Sequence, residues 1–185
     1  MRILVVSALL GSACSGPFGE PQMLGGISVS AEDLNAGHEK YILYCYACHG
    51  ENGDGQGPAS AYLRPPPRNF KDGIFKFAGV PAGELPHDDH LVNLVRRGLT
   101  GTAMLPWDVP EVELKKIIHY IKTFSPRWQN EKPGTPVEAS ADPFQGQTQA
   151  AVEHGKKIYH ATAQCARCHP SYISKPELAS LTKEV

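Results

Sequence analysis

Cys45-Tyr46-Ala47-Cys48-His49 sets two thiols three positions apart with an imidazole directly after the second, and Cys165-Ala166-Arg167-Cys168-His169 repeats the arrangement. Thiols at that spacing suit thioether attachment of a haem, each sulfur bonding one vinyl carbon while the histidine ligates the iron. Two such pentapeptides in a chain with five cysteines point to two covalently bound haems c. The anchoring residues are Cys45, Cys48, Cys165 and Cys168, and the iron ligands are His49 and His169. The competing use of these residues is one four-ligand zinc site drawn from both C-x-x-C pairs. Zinc-ribbon pairs sit much closer together in sequence, whereas these lie in opposite parts of the chain.

The elements that position the motifs must come from a chain of 185 residues, enough for one large domain or two small ones, and the repeated motif favours two. With 18 basic and 19 acidic side chains there is no electrostatic footprint for nucleic acid. Proline (16) and glycine (18) are abundant and aromatics scarce, which fits short helices joined by long loops. A small loop-rich fold buries little apolar surface by itself, and a covalent haem would supply much of the missing core.

Met1-Arg2, the apolar run Ile3 to Leu10 and the small residues Gly11-Ser12-Ala13 before Cys14 read as an export signal over residues 1–13. The apolar run is too short to span a bilayer. Small residues directly before Cys14 resemble a lipoprotein processing box, which would make Cys14 the acylated first residue and place the protein on the periplasmic side of a membrane. Gly11 stands where that box usually has leucine, and ordinary cleavage leaving Cys14 as a free thiol is the alternative. Acyl chains hold a membrane surface firmly, at about 0.8 kcal/mol per buried methylene.

Residues 14–30 are rich in Gly, Pro and Ser without a hydrophobic period and are predicted to be a flexible tether. Ser30-Ala31-Glu32-Asp33 then offers a helix cap, and Leu34, His38, Tyr41, Ile42 and Cys45 recur at helical spacing. Gly50 to Pro67 is a loop by composition. Arg64 and Arg68 bracket its proline run, either as partners for a haem propionate or as solvated charges. Asp88-Asp89 open a short amphipathic helix that Arg96-Arg97 close, and Gly98 ends it. Met104 follows in a non-helical segment. Pro110 opens a helix over about 111–124, with Leu114, Ile117, Ile118, Ile121 and Phe124 as a core stripe. Residues 127–148 lack a period and are predicted to be a linker. In residues 149–185, Gly155 and Tyr159 precede Cys165 much as Gly37 and Tyr41 precede Cys45, with two extra residues before the cysteine.

Over residues 31–126 these features resemble the class I cytochrome c family: the helix with Gly37 and Tyr41, C-x-x-C-H-G, the Gly57-Pro58 loop, a middle helix, Gly-Thr-Ala-Met with Pro106-Trp107, and a closing helix with Tyr120. The resemblance implies an all-α cytochrome c-like domain with His49 as proximal ligand and Met104 as distal ligand. It further implies that the Pro58 carbonyl accepts a hydrogen bond from the other nitrogen of His49, which would fix the ring and raise its basicity. Residues 149–185 resemble only the start of the family, so a partial second module is expected. Its sixth ligand is open among His154, His160, a partner's ligand and a vacant position. His38, His87, His90 and His119 carry no motif, and surface or capping roles are expected for them.

A His/Met pair raises the reduction potential and leaves no coordination position for a substrate, which favours electron transfer over catalysis. The expected protein is therefore not an enzyme but an exported carrier of single electrons between a membrane or periplasmic oxidoreductase and a terminal acceptor. Its expected partners are redox proteins and a membrane surface reached through Cys14. The alternatives are a haem enzyme with an open second site, peroxidase-like or acting on a small sulfur or nitrogen species, and a haem-bearing subunit of a respiratory complex.

Overall fold

The computed structural model describes residues 16–183, so the expected export signal and Cys14 lie outside the described residues. The chain divides into two compact units, one reaching Val137 and one starting at Glu138. Both are mostly helical. Among the described residues no helix is long and apolar enough to cross a membrane.

The first unit opens with a β-hairpin where a tether was expected. β1 (Gln22–Leu24) pairs antiparallel with β2 (Ile27–Val29), Gln22 opposite Val29 and Leu24 opposite Ile27. The glycine content of residues 14–30 serves the turn: Gly25 and Gly26 both take positive φ, a backbone region that disfavours residues with a Cβ. Leu24 and Val29 are buried in the main core, so this segment is docked and not free to swing. Composition alone does not separate a turn glycine from a linker glycine.

α1 (Ala31–Tyr44) begins as the sequence indicates, with the Ser30 hydroxyl accepting the Asp33 N–H at 3.1 Å. It crosses α4 (Glu111–Lys122), whose buried residues include Leu114, Ile117, Ile118 and Ile121 of the expected stripe, while Phe124 lies just past the helix end and is partly buried against the core. Gly37 lies at that crossing, with the Lys116 carbonyl so close that a Cβ built on Gly37 would sit 2.2 Å from its oxygen. Tyr120 fills the adjacent space, its ring 5.2 Å from Tyr41 and 5.1 Å from His38. Ion pairs Lys40–Glu113 (2.9 Å) and Lys116–Asp33 (3.0 Å) flank the contact.

α3 (Asp88–Arg97) carries its acidic residues in the first turn and its arginines in the last, as the helix macrodipole favours. Asp88 reaches across to α4, pairing with the buried Lys122 and with His119 Nε2 at 3.3 Å. His119 is therefore a partner of Asp88 inside the unit and not a surface residue, and its Nδ1 is buried with no hydrogen-bond partner among the described residues. Burial works to raise the Asp88 carboxyl, but hydrogen bonds from His119 and Lys122 outweigh it and hold the group down to about 2. An aspartate depressed in the folded state adds stability above its unfolded value near 3.9 and loses it as pH falls toward 2. Across that window the first unit should lose about 2 kcal/mol that Asp88→Asn does not lose. Urea denaturation of both proteins as a function of pH checks this, and parallel curves would refute it.

α5 (Arg127–Asn130) and the strand-like contact of Leu85 with Pro133 occupy part of the segment expected as linker 127–148. Trp128 is buried against the hairpin turn, and Gly25 N–H donates to its carbonyl at 2.5 Å. A single large aromatic among prolines and polar residues gave no periodic signal, yet it docks this stretch onto the core.

The second unit contains α6 (Thr148–Lys157), a π-helical turn (Ile158–Thr162), a 3-10 turn (Cys165–Arg167) and α7 (Lys175–Lys183). Its most buried side chains are His160 and Ala161. α7 is an element that the sequence reading did not foresee.

Candidate haem-binding site

Cys45 ends α1, and Tyr46–His49 continue as the single turn α2. The N–H groups of Cys48 and His49 both donate to the Cys45 carbonyl, at 3.2 and 2.9 Å, so both thiols and the imidazole issue from one turn. The glycine loop that follows is folded tightly under it. Gly55 N–H donates to the His49 carbonyl (2.9 Å), Gly57 N–H to the Cys48 carbonyl (3.2 Å) and Ala59 N–H to the Ala47 carbonyl (2.8 Å). A Cβ on Gly57 would lie 2.4 Å from the Ala47 oxygen, so only glycine allows this approach. The Tyr41 hydroxyl donates to the Gly50 carbonyl at 2.6 Å and ties α1 to the residue just after the motif.

The resemblance assigned the partner of His49 to the Pro58 carbonyl, and the structure corrects this. His49 Nδ1 lies 3.2 Å from the carbonyl oxygen of Arg68, ten residues further along the loop. The Gly53–Gly57 turns draw residues 67–70 onto the motif, with Phe70 N–H donating to the Gly53 carbonyl at 2.6 Å. A carbonyl only accepts, so Nδ1 carries the proton and Nε2 keeps its lone pair for a metal. Burial pushes His49 below the ordinary histidine range, keeping the ring neutral, while the bond to Arg68 opposes that shift. Phe70 stacks on the ring at 4.5 Å and 17°, fixing its plane. Phe70 in turn stacks near Phe75 and Phe124. Arg68 and Phe70 are the site residues that the sequence reading missed in these roles. A backbone carbonyl has no sequence signature, and a lone phenylalanine in a loop carries no period.

Arg64 is occupied within its own loop, donating to the Leu63 carbonyl at 2.7 Å. Cys45 and Cys48 form no disulfide among the described residues. Burial, with Cys48 beside it, pushes the Cys45 thiol up to about 12, so it stays protonated at neutral pH.

Met104 is half-buried on the loop between α3 and α4. The Leu99 N–H donates to its carbonyl at 2.7 Å, and its own N–H donates to the Thr102 hydroxyl at 3.1 Å. Trp107, three residues on, meets Tyr44 edge-on at 6.0 Å, which links this loop to the residue before Cys45. Leu43, Leu105 and Trp107 are exposed apolar side chains on these two segments, surface of the kind an apolar ligand covers. Two thiols on one turn, an imidazole with a free Nε2 and a soft thioether on the adjoining loop fit a covalent haem.

In the second unit, Cys168 and His169 N–H donate to the Cys165 carbonyl at 3.1 and 3.0 Å, the same backbone bonds as in the first motif. Cys168 and His169 are exposed. His154 is exposed on α6 with its ring 5.3 Å from Phe144. Within either unit, no group of three or more His, Cys, Asp or Glu gathers among the described residues as a zinc site needs.

Residues 32–121 match the family model described as cytochrome c oxidase, cbb3-type, subunit III. No curated protein matches the chain. Among solved structures, the chain is similar to the Kuenenia stuttgartiensis reducing HAO-like protein complex Kustc0457/Kustc0458. The identity is 34%, the match covers 72% of this chain and 60% of that chain, and the TM-score is 0.66. The present chain thus spans less than two thirds of that structure's chain. These matches support a cytochrome c domain in the first unit, a kind of domain that implies covalent haem c.

Proposed function

We propose that the protein is an exported dihaem c-type cytochrome that carries single electrons between a membrane or periplasmic oxidoreductase and a terminal acceptor. The observation that carries this reading is His49, neutral, with Nδ1 committed to the Arg68 carbonyl and Nε2 left free on the turn that bears Cys45 and Cys48. When bound, a haem supplies a one-electron couple whose potential its axial ligands and surroundings set. The protein's share is to hold the proximal imidazole at fixed tautomer and tilt through Arg68 and Phe70, to offer Met104 as the second ligand, and to bury the aromatic side of the site. Cys165, Cys168 and His169 would bind the second haem, supported by backbone bonds that repeat those of the first motif. The similar structure belongs to a protein complex, which favours a redox protein as partner. Cys14 would anchor the chain to the periplasmic face of a membrane as a lipoprotein.

A second reading is favoured by the commitment of both His160 nitrogens to other groups. These hydrogen bonds count against His160 as the sixth ligand of the second haem. An open position there would bind a peroxide or a small sulfur or nitrogen species.

The intact mass of the mature protein, made with haem-attachment machinery, is expected to show two haem additions and acylation at Cys14. A single addition would confine the cofactor to one motif. Carbon monoxide added to the reduced protein separates the two readings: little binding supports the carrier, and one equivalent per chain supports the open second site.

A further inference from the structure

Tyr41 and Tyr159 make the same hydrogen bond from different places in the sequence. Tyr41, four residues before Cys45, donates to the carbonyl of Gly50, the residue after His49, and Tyr159, six residues before Cys165, donates to that of Pro170, the residue after His169 (3.0 Å). Two extra residues in a regular α-helix would swing the tyrosine by about 200° away from the motif. The chain absorbs them by widening α6 into the π-helical turn Ile158–Thr162, closed by Ala163 N–H on the Ile158 carbonyl at 2.8 Å. Gln164 then takes the left-handed conformation (φ 53°) directly before Cys165. Such turns are uncommon and concentrate at functional sites.

The widened turn also brings in the next side chain. His160, 5% exposed, donates from Nδ1 to the Lys156 carbonyl at 2.9 Å, and its Nε2 accepts the Tyr172 N–H at 3.3 Å. The carbonyl of residue 170 and the amide of residue 172 are thus held by consecutive side chains of one turn. The Tyr159 ring lies 4.8 Å from His160 and 5.8 Å from Tyr172, closing the cluster. The His169 imidazole makes no hydrogen bond among the described residues, so its place is set by its backbone, held on one side by its own N–H on the Cys165 carbonyl and on the other by this grip on the loop after it.

We infer that Tyr159 and His160 are positioning residues for His169, and that the π-helical turn exists to bring both onto the loop that follows the second motif. The inference deepens the dihaem reading and rests on it for its redox consequence, but the grip itself is measurable without a haem.

The test uses the full chain produced with haem attachment, as wild type, Tyr159→Phe, His160→Ala, His160→Gln and Tyr41→Phe. The double variant Cys165→Ala/Cys168→Ala assigns the second haem's signals by removing them. Tyr159→Phe and His160→Ala are expected to shift the second haem's midpoint potential and broaden its low-temperature paramagnetic resonance, with the first haem unchanged. His160→Gln, which keeps one donor and one acceptor, should restore much of the wild-type behaviour, and Tyr41→Phe should move only the first haem. In the same samples the Tyr172 amide should exchange with solvent roughly tenfold faster in His160→Ala, the cost of one lost hydrogen bond. Unaltered second-haem potential and resonance in both Tyr159→Phe and His160→Ala would overturn the inference. So would unaltered Tyr172 exchange, even if the mass showed only one haem. A single haem with faster Tyr172 exchange would instead overturn the dihaem reading and leave the positioning role standing.

Discussion

Met104→Ala is expected to lower the reduction potential of the first haem and open its iron to carbon monoxide and other exogenous ligands. The fall should be a sizeable fraction of the ~0.8 V range over which axial ligands set haem potentials. A thioether is a soft donor that favours ferrous iron, and alanine offers no donor in its place. The loop should survive the truncation because its shape is held by main-chain and threonine contacts. Leu99 N–H bonds the residue 104 carbonyl, the Thr102 hydroxyl donates to the Leu99 carbonyl at 2.8 Å and accepts the residue 104 N–H, and Trp107 N–H bonds the Val95 carbonyl at 3.2 Å. Met23 provides the control: it lies on β1, 54% exposed, and Met23→Ala should leave the potential untouched. A Met104→Ala protein with wild-type potential and visible spectrum would show that another group ligates the iron.

Gly37→Ala should destabilise the first unit by about 2 kcal/mol, although alanine is the better helix former. A Cβ there would sit 2.2 Å from the Lys116 carbonyl oxygen and 3.0 Å from the Tyr120 side chain. The nearer atom is helical backbone and cannot step aside without moving α4. Overpacking of that kind costs typically ~1–3 kcal/mol or more, against ~0.5–1 kcal/mol gained from helix propensity. Gly155 stands four residues before Tyr159 as Gly37 stands four before Tyr41, yet nothing among the described residues lies within 4 Å of a Cβ built on it. Gly155→Ala should therefore stabilise the second unit, by roughly 0.5–1 kcal/mol. Denaturant midpoints at unchanged slope would check both signs. Equal effects at the two glycines would show that the α1–α4 approach does not decide the matter.

What is local in this protein could be read from its residues. The spacing of Cys45, Cys48 and His49 fixes three groups on one turn, because backbone bonds within five residues set that geometry, and the same holds for Cys165, Cys168 and His169. Ser30 as a cap, the charges at the two ends of α3 and the apolar stripe of α4 were legible for the same reason: each depends on neighbours one helical turn away. The sequence reading failed where partners are distant or are main-chain atoms. The Arg68 carbonyl in place of Pro58, the stacking of Phe70, the pairing of Asp88 with Lys122 and His119, and the docking of Leu24 and Trp128 all join separate segments. Two motifs alike in sequence likewise came to sit differently, one under a buried tyrosine on a regular helix and one behind a π-helical turn with its histidine exposed. Residue types and short spacings determined which atoms are available to bind a haem. Only the tertiary fold decided which carbonyl holds His49, because a carbonyl oxygen is present at every residue and chain closure alone selects the one that arrives.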